Sequence, residues 1–175
     1  MTDVFADTAG TTAATRTDIL NAINSGQLVV NYLGHGSEGQ WSGSDIFDTD
    51  SVSSLTNGSQ LPVFLIMDCL NGFFQDVYAP PALGVTLLLA PNGGAVAVLA
   101  SSGLNQPPPQ TSLDAMVVQN ALNAKGAALG DALVKAKTKI SDADVRRTFV
   151  LFGDPAMQVK QPAANTSGST SPRTP

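Results

Sequence analysis

Apolar residues along this chain switch repeatedly between helical and strand spacing, and the switches set the expected order of elements. Ile19, Leu20 and Ile23 share one helical face, Thr15 or Thr17 can cap its start, and Gly26 stands where a helix stops. The spacing predicts a helix of about ten residues there. Gln27-Leu-Val-Val-Asn-Tyr-Leu33 is a β-branched and aromatic run ending at Gly34-His35-Gly36, the pattern of a buried strand that carries His35 to its end. From Ser37 to Gln60 the residues are mainly Ser, Gly, Asp and Thr, which predicts a long loop with one helical turn near Ser51 to Leu55.

Leu61-Pro-Val-Phe-Leu-Ile-Met67 predicts a second buried strand running straight into Asp68-Cys69, and Pro62 is tolerable because it stands at the strand's beginning. A helix over Leu83 to Ala90, a turn at Asn92-Gly-Gly94 and a third strand over Ala95 to Ala100 follow. Thr111-Ser112 then opens a helix with Leu113, Met116, Val117 and Ala121 inward and Gly126 at its end. The next helix carries Leu129, Leu133, Ala136 and Ile140 inward and Lys135, Lys137 and Lys139 outward, with Asp131 one turn from Lys135. Thr148 to Phe152 reads as a short strand before Gly153-Asp154-Pro155, where Asp154 is read as a structural turn residue. Strands alternating with helices indicate an α/β class with a mostly parallel sheet. The expected division is a lead-in over residues 1–12, a domain over 13–160, and a Pro, Ala, Ser and Thr-rich flexible tail over 161–175.

Composition narrows the function classes. With 175 residues the chain fits one domain, and its 13% of charged residues is about half the usual share. One cysteine and one histidine leave no intrachain disulfide, no Cys-based zinc knuckle and no histidine cluster for a metal. The net charge is −5, and no Lys or Arg occurs between Arg16 and Lys125, so the surface repels phosphate backbones and nucleic-acid binding is not expected. The longest apolar stretch, Leu83 to Ala100, is interrupted by Pro91, Asn92, Gly93 and Gly94, and the start has no basic and apolar leader, so neither a membrane span nor a signal peptide is expected.

In a parallel α/β sheet, sites form at the carboxyl ends of the strands, and two of the expected strands end at His35 and Cys69. A thiol of pKa about 8.5 needs a base to become thiolate near neutrality, and an imidazole of pKa about 6.5 is a natural acceptor. The only His and the only Cys are therefore a candidate dyad, although a lone Cys after an apolar strand also serves as a small buried hydrophobe. Gly34 and Gly36 imply close approach to the backbone around His35, and Asn71-Gly72 implies a tight turn after Cys69. Amides of Gly36 and Cys69 aimed at one point would form an oxyanion hole. Trp41, in a polar loop near His35, and Asp68, beside Cys69, are candidate walls of a substrate pocket. Ser37 fails the nucleophile-elbow pattern because His35, not Gly, stands two residues before it. Asp45, Asp48 and Asp50 alternate in a loop without the glycine and terminal glutamate of a calcium hand, so a solvated acidic loop is the simpler reading.

Four blocks in order, Asn31-Tyr-Leu-Gly-His-Gly-Ser-Glu-Gly-Gln-Trp41, Leu61-Pro-Val-Phe-Leu-Ile-Met-Asp-Cys-Leu-Asn-Gly-Phe73, Ala90-Pro-Asn-Gly-Gly-Ala-Val-Ala-Val98 and Leu151-Phe-Gly-Asp-Pro-Ala-Met157, resemble the gingipain-like cysteine peptidases of the caspase-like clan. The resemblance implies a three-layer α/β/α caspase-like sandwich, His35 as general base and Cys69 as nucleophile. It also implies endopeptidase activity on peptide or protein substrates without a required cofactor, calcium as a possible structural ion, and an extracellular or surface setting. Members of that family carry further strands and an acidic residue upstream of the histidine. Only 34 residues precede His35 here, so those strands are expected to be absent and the chain to be the C-terminal portion of a catalytic domain. Asp7, Glu38 or Asp45 would be left to orient the imidazole. The strand at residues 27–33 would then offer an unpaired edge to an upstream fragment or a second copy.

Three functions follow from this reading. The first is a cysteine endopeptidase whose acidic field favours basic residues before the cut. The second is a catalytically incomplete module that acts in assembly through its strand edge. The third is a maturation or sorting peptidase that transfers its acyl group to an amine.

Overall fold

A computed structural model describes residues 3–4, 10–122 and 126–159. The tail expected over 161–175, Asp7, Lys125 and most of the lead-in lie outside the described residues. In chain order the elements are α1 (Thr12–Asn24), β1 (Val29–Leu33), β2 (Gly36–Ser37), β3 (Gln40–Trp41), β4 (Phe47–Asp48), α2 (Thr49–Val52) and β5 (Val63–Met67). They continue with α3 (Leu83–Leu88), β6 (Ala97–Ser101), α4 (Pro107–Ala121), α5 (Leu129–Lys137), α6 (Ala143–Thr148) and β7 (Phe149–Phe152).

The main sheet has the order β1-β5-β6-β7, with β1, β5 and β6 parallel and β7 antiparallel at the far edge. Successive side chains of a strand point to opposite faces, and here both faces are apolar. Val63, Leu65 and Met67 of β5, with Ala97 and Leu99 of β6, pack against Leu113 and Val117 of α4, Leu129 and Leu133 of α5 and Val145 of α6. Phe64 and Ile66, with Val98 and Ala100, face Ile19 and Ile23 of α1, Val52 of α2 and Leu83 and Leu87 of α3. The result is an α/β/α sandwich with β5 and β6 buried throughout.

Several expectations change in detail. β1 is half-buried rather than buried, because it pairs only with β5 among the described residues, and Leu33 is 51% exposed. Thr11, not Thr15 or Thr17, caps α1 by accepting from the Ala14 N–H, and Thr15 instead packs inward. The segment expected as loop between Ser37 and Gln60 holds the small antiparallel sheet β2-β3-β4, anchored by the buried rings of Trp41 and Phe47. α4 begins at Pro107, four residues before Thr111, since Pro in a first helical turn gives up only N–H groups that have no intrahelical partner. Helix α6, capped by the Asp142 side chain, was not anticipated. Lys137 turns inward, donating from Nζ to the Phe149 carbonyl at 2.5 Å, and burial lowers its pKa. Asp131 and Lys135 form no ion pair; the salt bridge found among the described residues joins Arg16 to Asp48 at 3.0 Å.

Candidate active site

The site is built on the register of β1 against β5. Their last paired residues are Leu33 and Met67, and Gly34 N–H extends the ladder to the Met67 carbonyl at 3.2 Å. His35 and Cys69 each stand two residues beyond that last pair, on adjacent parallel strands and at the same carboxyl edge. Adjacent strands run about 4.8 Å apart, so the register brings both residues to the same edge of the sheet.

Cys69 is half-buried on a rigid base. Its Sγ lies 3.4 Å from the Asn105 N–H, which donates to it, and 3.6 Å from the Asn105 carbonyl. Asn105 is in turn fixed by its side chain, which donates to the Gly103 carbonyl at 3.2 Å and accepts from the Thr148 hydroxyl at 3.1 Å. After Cys69 the chain turns through Leu70, whose φ of 68° is left-handed and unusual for a non-glycine residue. Gly72 completes the turn, donating to Ser101 O at 2.8 Å; a Cβ there would press on the Ala100 carbonyl at 2.9 Å. The expected tight turn is present.

His35 is exposed, and its main chain is pinned while its ring is not. The His35 carbonyl accepts from the Tyr32 hydroxyl and from the Ser42 N–H, both at 2.7 Å. No carboxylate bonds the imidazole among the described residues: Glu38 and Asp45 contribute carbonyls to Leu83 and Arg16 respectively. The flanking glycines have specific causes. The Tyr32 phenol occupies the side-chain space of Gly34, and the Asp68 carboxylate occupies that of Gly36.

Since Ser42 N–H bonds His35 O, residues 35 and 42 form a hydrogen-bonded pair of the β2–β3 hairpin, and alternation leaves the next pair, Gly36 and Trp41, without ladder bonds. Gly36 N–H is therefore off the ladder. Cys69 N–H likewise donates to no described group.

Trp41 is 2% exposed and lies flat against Tyr32, with centroids 4.3 Å apart and planes 5° from parallel. With Ile19, Ile23, Tyr32 and His35 it lines a cavity of about 580 Å³ between α1 and β1. Burial and then the nearby Asp68 carboxylate push the Tyr32 hydroxyl up to about 12. Asp68 is fully buried rather than lining open space. The acidic loop holds no cation cluster: Asp48 caps α2 and pairs with Arg16, which also bonds the Asp45 carbonyl, and no group of three His, Cys, Asp or Glu that could hold a metal occurs among the described residues. Against the raising effect of partial burial, the Ser51 hydrogen bonds and Arg16 hold Asp48 below the usual carboxylate range.

Several residues near the site escaped the sequence reading. Asn105 meets the thiol through main-chain atoms, which no residue type signals; only its place on the loop after the third parallel strand could have found it. Asn71, read as a turn residue, is buried, and its side-chain amide donates to the Ser37 carbonyl and to Gln40 O at 3.3 Å, clasping the hairpin. Phe74, Val77, Tyr78 and Leu104 are exposed on the loops that follow Cys69 and β6.

A parallel sheet covered by helices on both faces, with the single His and the single Cys at neighbouring carboxyl ends, is the architecture of a caspase-like α/β/α domain. The chain belongs to Peptidase family C25, whose family model matches residues 1–160. Gingipain R2 of Porphyromonas gingivalis is 40% identical over 93 residues, which is 51% of this chain and 12% of that protein. Gingipain R1 of the same species is also 40% identical over 93 residues, 9% of its length. The crystal structure of the Arg-specific cysteine proteinase gingipain R superposes with a TM-score of 0.74 at 28% identity, covering 86% of this chain and 37% of that one. The complex of the pro- and mature domains of RgpB from Porphyromonas gingivalis gives a TM-score of 0.69 at 28% identity, over 86% of this chain and 38% of that one. The chain thus spans well under half the length of these relatives.

Proposed function

We propose that this chain carries the catalytic dyad of a cysteine endopeptidase, with Cys69 as nucleophile and His35 as general base. The observation that carries the reading is the shared position of the two side chains, each two residues beyond the Leu33–Met67 pair on adjacent parallel strands. His35 takes the thiol proton, and the Cys69 thiolate attacks the scissile carbonyl carbon. The unengaged N–H groups of Gly36 and Cys69 receive the oxyanion, a contribution on the order of a hundredfold or more per donor. His35 then returns the proton to the leaving amine, and water hydrolyses the thioester that remains. The Asn105 N–H supports the thiolate from the other side. Basic residues before the cut fit a chain with no Lys or Arg between residues 16 and 125 and relatives that include an Arg-specific proteinase. An extracellular or cell-surface setting accompanies this reading.

The rate of Cys69 alkylation by a small haloacetamide against pH tests the dyad, since Cys69 is the only thiol. Fast labelling below pH 7 that slows in His35→Ala is expected. Labelling like that of an ordinary thiol in both proteins would sink the reading. Fluorogenic peptides then test the preference, and faster cleavage after Asp or Asn than after Arg or Lys would overturn it.

A second reading is favoured by β1, which has one described partner, an exposed Leu33 and an imidazole after it that no described carboxylate orients. On this reading the chain is an incomplete caspase-like module that assembles by adding a strand to β1. An inert chain that elutes as a tight dimer supports it; a monomer that hydrolyses peptides excludes it.

A further inference from the structure

Beneath the hairpin that follows His35 lie four buried side-chain atoms without hydrogen-bond partners: Trp41 Nε1, both carboxylate oxygens of Asp68, and Asn71 Oδ1. They surround one residue. Trp41 is the cross-strand partner of Gly36, the Asp68 carboxylate fills the side-chain space of Gly36, and Asn71 holds the hairpin through the Ser37 and Gln40 carbonyls. With Asp68 ionised, three acceptor oxygens face two N–H donors, those of Trp41 Nε1 and the Asn71 backbone, and a negative charge is sealed away from water with no Lys or Arg beside it among the described residues. With Asp68 protonated, the carboxyl O–H becomes a further donor and only two acceptors remain, the Asp68 carboxyl C=O and Asn71 Oδ1, so that neither lacks a donor. Buried polar groups settle in the state that satisfies them.

We propose that Asp68 is held as a neutral carboxylic acid under the His35–Gly36 turn and acts as a positioning residue, linking the Cys69 end of β5 to the β2–β3 hairpin through Asn71 and Trp41. Burial pushes this carboxyl up to about 8, with the Asn71 backbone amide pulling weakly back, so ionisation falls at mildly alkaline pH. The other groups around it do not compensate the charge. β1 contributes the Tyr32 hydroxyl, neutral until about 12; α4 contributes Gln110, which donates to the Asp68 main-chain carbonyl at 3.3 Å; Cys69 is the titratable residue next along the chain, and His35 and Glu38 stand on either side of β2. The hairpin strands, Asn71 and the nearby start of α3 bring no charge. An ionised Asp68 therefore places a negative charge beside the Gly36 and Cys69 amides and opposes formation of the Cys69 thiolate. Only this consequence rests on the peptidase reading; the protonation state itself does not.

The folded chain retains a proton that the unfolded chain loses near 3.8, so this group's contribution to stability falls as pH rises from about 4 to about 8 and is level above that. Asp68→Asn supplies a neutral donor and acceptor of the same shape and removes the dependence. Infrared difference spectra between the wild type and Asp68→Asn should show a protonated-carboxyl carbonyl band at pH 6 that is lost above about pH 9. The variant should melt higher than the wild type, with a gap that widens up to pH 8. Cys69 alkylation should coincide in the two proteins at pH 6 and be about threefold or more faster in the variant at pH 9. No acid band at pH 6, melting curves that stay parallel with pH, or an Asp68→Asn chain that fails to fold would each overturn the proposal, since an amide reproduces everything a neutral acid does there. Failure of peptide hydrolysis with the band and the melting gap intact would count against the peptidase reading alone.

Discussion

β5 and β1 run side by side, and each delivers one member of the candidate dyad, yet they are built to different standards. β5 is buried along its whole length and paired on both sides, and the turn after it is fixed by Asn105, Gly103 and Ser101. Among the described residues β1 is paired on one side, and the His35 that follows it is held through its carbonyl alone. The thiol is thus prepositioned by a packed core, whereas no described group fixes the imidazole ring. A chain of this kind can have a fully formed nucleophile and an under-defined base.

The widest gap between the two ends concerns chemistry. Cys69→Ala should remove peptide hydrolysis altogether, a loss of at least about a thousandfold, while His35→Ala should leave Cys69 alkylatable at high pH, because thiolate then forms without a base. Equal labelling profiles would erase the distinction between the two ends. Stability should separate the strands next. Leu65→Ala in β5, at a position 3% exposed, should cost about 2–5 kcal/mol in urea unfolding, whereas Leu33→Ala in β1 should cost less than about 1 kcal/mol. A comparable loss at Leu33 would mean that β1 is covered in solution. A small effect is also expected from Tyr32→Phe, which deletes the bond to the His35 carbonyl and should cost about 1 kcal/mol while leaving the ring stacked on Trp41.

The same contrast explains what could be read from the sequence. β5 and β6 were legible because strands buried on both faces are continuous apolar runs, and their order with the helices implied the parallel sheet. The placement of His35 and Cys69 at strand ends followed from those runs. β2, β3 and β4 were not legible, because strands of two residues have no period, and part of what holds them, the Asn71 amide and the Phe64 ring near Trp41, comes from distant parts of the chain. The helix expected to open at Thr111-Ser112 begins earlier, with the triple proline at 107–109 as the first turn of α4. The burial of Asp68 was hidden for a different reason: nothing local distinguishes an acid that will face water from one that will lie against a glycine backbone.

The placing of the basic residues in this chain has a last consequence, one of resistance to cleavage. Arg16 is the only Lys or Arg in the first 124 residues, and it sits within α1 with its guanidinium held by the Asp45 carbonyl and the Asp48 carboxylate. An enzyme that cuts after Arg or Lys finds no bond to cut from residue 17 to residue 124, the stretch that contains the whole hairpin, both candidate catalytic residues and the start of the loop behind them. The basic site at Arg16, ahead of that stretch, is held in a helix and an ion pair, so the part of the chain that bears the candidate dyad offers no cleavable bond to a protease of that specificity.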